Sequence, residues 1–139
     1  MQLSEVRWIE LDHTTDVRGT LAVLERPTLP FAAARIFCMR QVPDGHERGG
    51  HAHRYTQQCA VAVAGAVRFD VSNGEQHATF LLDDPNRALY LPAMTWVRLH
   101  DFSRDAVVLV LCDTVYEPAH VVRSWDEYRR LQRETIAVG

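Results

Sequence analysis

The stretch Gly45-His46-Glu47-Arg48-Gly49-Gly50-His51-Ala52-His53-Arg54-Tyr55-Thr56-Gln57-Gln58 determines how the rest of this chain is read. His51 and His53 stand two residues apart, so on a β-strand both rings project from one face. If that face lines the inside of a closed sheet, two imidazoles enter one cavity. An imidazole titrates near neutrality and can take a proton from carbon and return it elsewhere. A hydrogen-bonded pair of core histidines is the plainer reading. The Arg48-Gly49-Gly50 turn just ahead of the pair favours the functional one.

Outward from this centre, short β-prone runs recur along the chain. Val6 to Leu11, Thr20 to Leu24, Ala34 to Val42, Gln58 to Val63 and Ala66 to Val71 read as strands. His77 to Leu82, Ala88 to Leu91, Trp96 to His100 and Ala106 to Cys112 continue the series. Between them lie Asp16-Val17-Arg18-Gly19, Pro43-Asp44-Gly45, Ser72-Asn73-Gly74-Glu75 and Asp83-Asp84-Pro85-Asn86, where proline presets φ and Gly or Asn tolerates positive φ. Asn73-Gly74 between alternating strands is the strongest hairpin signal. Regular short strands with such turns predict a sandwich or barrel. One helix stands out, opening on the capping box Ser124-Trp125-Asp126-Glu127 and running to about Gln132, with Trp125, Tyr128 and Leu131 on one face. The 139 residues are read as a single domain spanning 1–139, without repeats or linkers.

The central stretch matches the pattern G-x5-H-x-H-x4-E-x6-G of the cupin superfamily at Gly45, His51, His53 and Gly65, with Gln58 where the glutamate belongs. That resemblance implies an all-β cupin double-stranded β-helix, a jelly-roll barrel, here with a short C-terminal helix. In metal-binding cupins the glutamate and a later histidine complete the ligand set. Gln58 offers a poorer neutral oxygen, and Pro92-Ala93-Met94-Thr95-Trp96-Val97 carries no histidine. Two imidazoles without a carboxylate bind zinc or iron weakly compared with the usual three or four ligands. His100 is the one substitute ligand in reach of the argument. The expectation is a site with no metal and no cofactor.

Composition narrows the chemistry further. Apolar residues make up 47% and charged residues 24%, and the net charge of −3 gives no global basic field for a nucleic-acid backbone. All 15 basic residues are arginine, which excludes Schiff-base catalysis, lysine-anchored pyridoxal phosphate and a P-loop lysine. Arginine suits bidentate recognition of phosphate. Cys38, Cys59 and Cys112 form no CxxC pair and sit in apolar runs, so buried reduced thiols are expected. No leader and no apolar run of about 18 residues is present, which predicts a soluble, cytoplasmic protein without membrane contact.

Over nearly its whole length the chain resembles the cupin sugar 3,4-ketoisomerases that act on dTDP-4-keto-6-deoxyglucose. The likeness rests on Asp16-Val17-Arg18-Gly19-Thr20-Leu21 with Glu25, Leu29-Pro30-Phe31, Arg35-Ile36, Arg48-Gly49-Gly50-His51-Ala52-His53, Gln58 and Gly65. Leu89-Tyr90-Leu91-Pro92, Trp96, Asp101-Phe102-Ser103 and Tyr116 extend it. It implies a metal-free isomerase of deoxysugar biosynthesis for lipopolysaccharide or S-layer glycans. It also implies a dTDP-linked keto-sugar substrate and a domain-swapped homodimer that exchanges N-terminal strands. On that footing His51 is the base and His53 its partner or second shuttle, the order left open. Arg18, Arg35, Arg48, Phe37, Gln58, Tyr90 and Trp96 are the expected substrate contacts. The chain departs from the family at Arg35-Ile36-Phe37-Cys38, where a tyrosine hydroxyl that reaches the sugar is replaced, and Tyr55 or Tyr90 are the candidates to compensate. A nucleotide-sugar epimerase, a non-catalytic sugar-nucleotide-binding cupin and a metal-dependent cupin oxygenase stand as alternatives.

Overall fold

A computed structural model of the chain describes residues 1–138, with side chains through 135. Strands β1 (Arg7–Glu10), β2 (Asp12–Asp16), β3 (Gly19–Val23), β4 (Arg35–Arg40), β5 (Arg48–His53) and β6 (Gln58–Ala64) form the first half. Strands β7 (Val67–Ser72), β8 (His77–Leu82), β9 (Arg87–Leu91), β10 (Trp96–His100), β11 (Val107–Cys112) and β12 (Val121–Val122) follow, then helix α1 (Trp125–Val138).

Two antiparallel five-stranded sheets face each other, ordered β1-β9-β6-β11-β4 and β12-β5-β10-β7-β8. From β4 to β7, and again from β8 to β12, each successive strand lies in the opposite sheet. That alternation is the double-stranded β-helix of a cupin jelly roll, as the motif predicts. The exception is the β7–β8 hairpin, which turns back within one sheet at Asn73-Gly74 in register Ser72 to His77. Asn73 closes this turn by accepting the N–H groups of Glu75 and Gln76 on its side-chain oxygen.

The core lies between the sheets, where Phe69, Leu89, Leu91, Val97, Leu99, Val108 and Val110 alternate inward. Burying each such side chain contributes about 1.5–3 kcal/mol. Strand β6 breaks the alternation, because Gln58 to Ala62 are all buried. Its outer face is covered by the segment carrying Leu29 and Phe31, which pack with Ile9, Leu11, Val61 and Leu111 into a second cluster. A strand covered on both faces reads as a continuous apolar run.

Strand β4 shows the opposite case. It is the sheet edge, nothing among the described residues covers its outer face, and Ile36, Cys38 and Arg40 are exposed. The expectation of three buried thiols is therefore corrected: Cys59 and Cys112 are buried, and Cys38 is exposed. Helix α1 seats Tyr128 against Ala52 and Val122, with Trp125 and Leu131 beside it. The Tyr128 hydroxyl lies 2.7 Å from the Met94 carbonyl oxygen and 3.0 Å from that of Ser72. Ser124 caps the helix by accepting the Glu127 N–H at 3.3 Å, the serine half of the capping box. The helix continues past Gln132 to Val138.

Candidate functional site

Strand β5 delivers the two histidines. Its pairing with β10 runs Val97 to His51 and then Arg98 to Gly49, so Gly50 is bulged out of the ladder just before the motif. A bulge bends a strand and re-aims the next side chain. His51 and His53 end side by side, ring centroids 5.0 Å apart and the planes at 88°.

Both rings open into a cavity of about 380 Å³. That volume is within the roughly 300–1,000 Å³ of small-molecule sites. Its floor is the core itself, with Phe69, Val97, Leu99 and Val110. Its polar wall consists of Arg35, Arg48, Arg123, Gln58 and Tyr116 around the histidines, with no carboxylate side chain among the lining residues. Three guanidiniums without a counter-charge make a site for an anion, and planar bidentate donors fit phosphate oxygens.

The electrostatics act on the imidazoles. Burial lowers the pKa of His51, and the positive charges of Arg123 and Arg48 add to it, while a backbone hydrogen bond with Gly49 opposes. His53 is driven further, to about 4, by burial first, then by His51, Arg35 and Arg123. Both rings are neutral at physiological pH, the state in which an imidazole accepts a proton. These shifts carry a linkage consequence. Above the ordinary histidine value near 6.5, neither folded nor unfolded chain binds these protons. Below it the unfolded chain takes them up first, so stability falls with pH between about 6.5 and about 4. Thermal melts should show a midpoint that drops across this window, and His53→Gln should flatten the drop. An identical slope in the variant would show that His53 does not contribute.

The structure brings together most of the expected residues and leaves others apart. His51, His53, Arg35, Arg48, Phe37 and Gln58 all line the cavity. The Gln58 amide donates to the Cys112 sulfur at 3.5 Å. Trp96 lies elsewhere: its strand alternates, Val97 and Leu99 point inward, and Trp96 packs under the helix on Trp125 and Tyr128 at 5.2 and 5.3 Å. Tyr90 is also outside the cavity, its hydroxyl donating to Gln57 Oε1 at 2.6 Å under the Arg7 guanidinium. Arg18 sits at the tip of the β2–β3 hairpin, ion-paired to Asp16 at 2.6 Å. Tyr55 is exposed, with its ring against His120. Neither tyrosine named as a replacement hydroxyl reaches the histidines.

His100 points to the face of β10 away from the cavity, with Nε2 2.9 Å from Asp70 Oδ2, so it is no partner for the histidine pair. Among the described residues no group of three or more His, Cys, Asp or Glu could hold a metal ion.

Two of the lining residues with side chains that can bind a ligand, Arg123 and Tyr116, have no role assigned from the sequence. Arg123 precedes the helix cap and carries no local signal. Tyr116 was part of the family likeness without a role. The Arg123 Nη2 donates to the Tyr116 hydroxyl oxygen at 2.8 Å. The Arg35 guanidinium lies between two rings, 4.6 Å from Phe37 and 4.9 Å from Tyr116.

Fold and cavity together define a cupin with an arginine-lined anion pocket built around two neutral imidazoles. The family model described as "FdtA: WxcM-like, C-terminal" matches residues 4–133, and the chain belongs to that family. It is 30% identical over 127 residues, 91% of each chain, to the TDP-4-oxo-6-deoxy-alpha-D-glucose-3,4-oxoisomerase of Aneurinibacillus thermoaerophilus. Its fold matches a histidine-to-asparagine mutant of the 3,4-ketoisomerase QdtA from Thermoanaerobacterium thermosaccharolyticum in complex with TDP-4-keto-6-deoxyglucose. The TM-score is 0.92 at 25% identity, over 96% of this chain and 97% of that one. A 3,4-ketoisomerase from Helicobacter canadensis matches with TM-score 0.90 at 27% identity, over 93% of this chain and 98% of that one. No helix among the described residues is long and apolar enough to cross a membrane.

Proposed function

We propose that this chain is a sugar-nucleotide 3,4-ketoisomerase acting on a dTDP-4-keto-6-deoxyhexose. The observation that carries the reading is the pair of neutral imidazoles in a cavity whose charged lining is entirely guanidinium. Arg35, Arg48 and Arg123 suit the pyrophosphate of a nucleotide sugar, and the histidines stand where the hexose would be held. His51 removes the C3 proton, and the developing enediolate oxygen is stabilised by the nearby donors. The proton returns at C4, leaving the ketone at C3. His51 is assigned as base because its pKa is depressed less than that of His53, which at about 4 is a weak acceptor at neutral pH.

The second chain completes the reading. Every residue of β2, and Gly19 to Leu21 of β3, is exposed in the single chain, including the apolar Leu21. Val17 at the tip is fully exposed. An isolated two-stranded hairpin is marginal in water. In a homodimer that exchanges this N-terminal segment, the hairpin gains a sheet to join, and Arg18 reaches a ligand in the other copy's cavity. The expected location is the cytoplasm, with neither nucleic acid nor membrane as partner.

The test is turnover of dTDP-4-keto-6-deoxyglucose in D₂O, followed by NMR, on protein sized by sedimentation. The expected result is a two-chain particle forming a 3-keto product that carries its hydrogen label at C4. A product that keeps the C4 ketone with inverted configuration at C3 or C5 would make the chain an epimerase. Binding of dTDP without turnover would make it a binding protein.

A further inference from the structure

Moving a ketone from C4 to C3 requires two proton transfers. One proton goes from C3 to C4 through the imidazole. The other must leave the C3 hydroxyl and arrive on the former C4 carbonyl oxygen. A neutral imidazole that has just accepted the carbon-bound proton is occupied and cannot also carry the second. The oxygen-to-oxygen transfer needs a group that donates and accepts at about the same moment, as a hydroxyl does.

Among the described side chains that line the histidine cavity, Tyr116 alone carries a hydroxyl. It follows β11 and lies in the segment leading to Pro118. Tyr116 and His53 also share the narrow cleft beside the main cavity, which Arg35 lines as well. Because the Arg123 Nη2 donates to the Tyr116 oxygen at 2.8 Å, the phenolic hydrogen is left to point at something else. Arg35 packs over the ring at 4.9 Å and fixes its plane. The residue is about half exposed, 45%, so its oxygen is reachable by a ligand in the cavity mouth. Phe37, on the other side of Arg35, presents only an apolar ring.

We propose that Tyr116 carries the oxygen-to-oxygen proton transfer of this isomerisation, with Arg123 as its positioning residue. The proposal rests on the isomerase reading above. In the balanced step the Tyr116 O–H bond breaks as O4 of the enediolate gains a proton. The phenolate oxygen then takes the proton from O3 as the C3 carbonyl forms, and the imidazolium gives its proton to C4. Tyr116 and His51 both end as they began, and no oxidant, reductant or co-reactant enters.

The experiment compares wild type with Tyr116→Phe, which keeps the ring under Arg35 and removes one oxygen. Turnover, KM, dTDP affinity and loss of a deuterium label from C3 of the substrate are measured together. The expected result is a kcat lower by about 100-fold, the lower end for a general acid–base group, with KM and dTDP affinity unchanged. Label loss from C3 falls less than ketone transfer, since the base is intact and only the oxygen relay is missing. An undiminished kcat overturns the relay alone. So does a parallel fall in label loss and ketone transfer, or a loss of dTDP binding, either of which would mark Tyr116 as a positioning or structural residue. A wild-type chain with neither turnover nor label loss overturns the isomerase reading and the relay with it.

Discussion

Replacing His51 by asparagine is expected to lower kcat on the keto-sugar nucleotide by about 10²–10⁴-fold, the usual worth of a general acid–base group, without loss of dTDP affinity. Asparagine fills much of the same space and keeps a polar edge, so the cavity and its three guanidiniums should persist. What disappears is the nitrogen lone pair that takes the C3 proton in the proposed reaction. His53 remains, but it is a poor substitute, because burial, with the charges of Arg35 and Arg123, still holds its pKa below the ordinary histidine value once His51 is gone. A base that weak at neutral pH has little driving force for carbon deprotonation. The two variants therefore separate the roles. His53→Asn should cost less than His51→Asn, and a steady-state comparison with one substrate lot checks the order. The reverse order would transfer the role of base to His53.

The pH profile belongs to the same argument. With both imidazoles depressed, the active neutral form survives below the ordinary histidine range. The acid limb of the wild-type rate profile should be centred below the ordinary histidine value near 6.5, where His51 is protonated. Burial is the main cause of the shifts, and the arginines add to it. The guanidiniums proposed to hold the pyrophosphate thus also help, through the same field, to keep the proposed base unprotonated.

The central motif makes about half of the candidate site legible from the sequence. The two-residue spacing of the histidines fixes their common face, and the jelly-roll motif places that face inside. Arg35, Arg48 and Gln58 came with it because they lie on the motif strand or on strands the family likeness covers. Arg123 and Tyr116 did not, since Tyr116 lies on the return of the chain from β11 to β12 and Arg123 just after β12, some 65 to 70 residues beyond the histidines. Trp96 and Tyr90 were misplaced for a simpler reason. Each alternates away from the cavity, and alternation on a strand is unreadable from the sequence until one inward residue of that strand is known. The exposure of Cys38 depended on β4 being a sheet edge, which is a fact of topology. In the later turns of α1 the Arg130–Glu134 pair at 3.0 Å supports the helix.

Gly65→Ala should destabilise the chain by about 3 kcal/mol, the sum of two penalties that act at the same atom. The first is backbone hand: Gly65 has φ +66, where an L side chain costs about 1–2 kcal/mol. The second is space. A Cβ at this position would overlap the Ser103 Oγ and stand 2.7 Å from Asp105 Oδ1 and 2.8 Å from the Ala106 Cα. Overpacking of that kind typically adds about 1–3 kcal/mol. The side chains cannot simply step aside. Ser103 accepts the Ala66 N–H at 2.9 Å and donates to Asp105 at 2.7 Å, while its own N–H donates to the Ala66 carbonyl at 2.9 Å. Moving them would break the clasp that joins the β6–β7 turn to the start of β11, and the Ala106 contact is backbone in any case.

Gly45, the other glycine of the motif, supplies the control. It has φ +76, but a Cβ added there would meet nothing within 4 Å, so Gly45→Ala should cost only the backbone penalty, about 1 kcal/mol. Urea midpoints at constant m measure both. Equal losses would mean that the clasp yields and that crowding at Gly65 contributes nothing. Because Gly65 follows the end of β6 and Gln58 begins it, about 20 Å of strand separates the substitution from Gln58 in the polar wall of the cavity. Any Gly65→Ala protein that remains folded should turn over substrate at the wild-type rate.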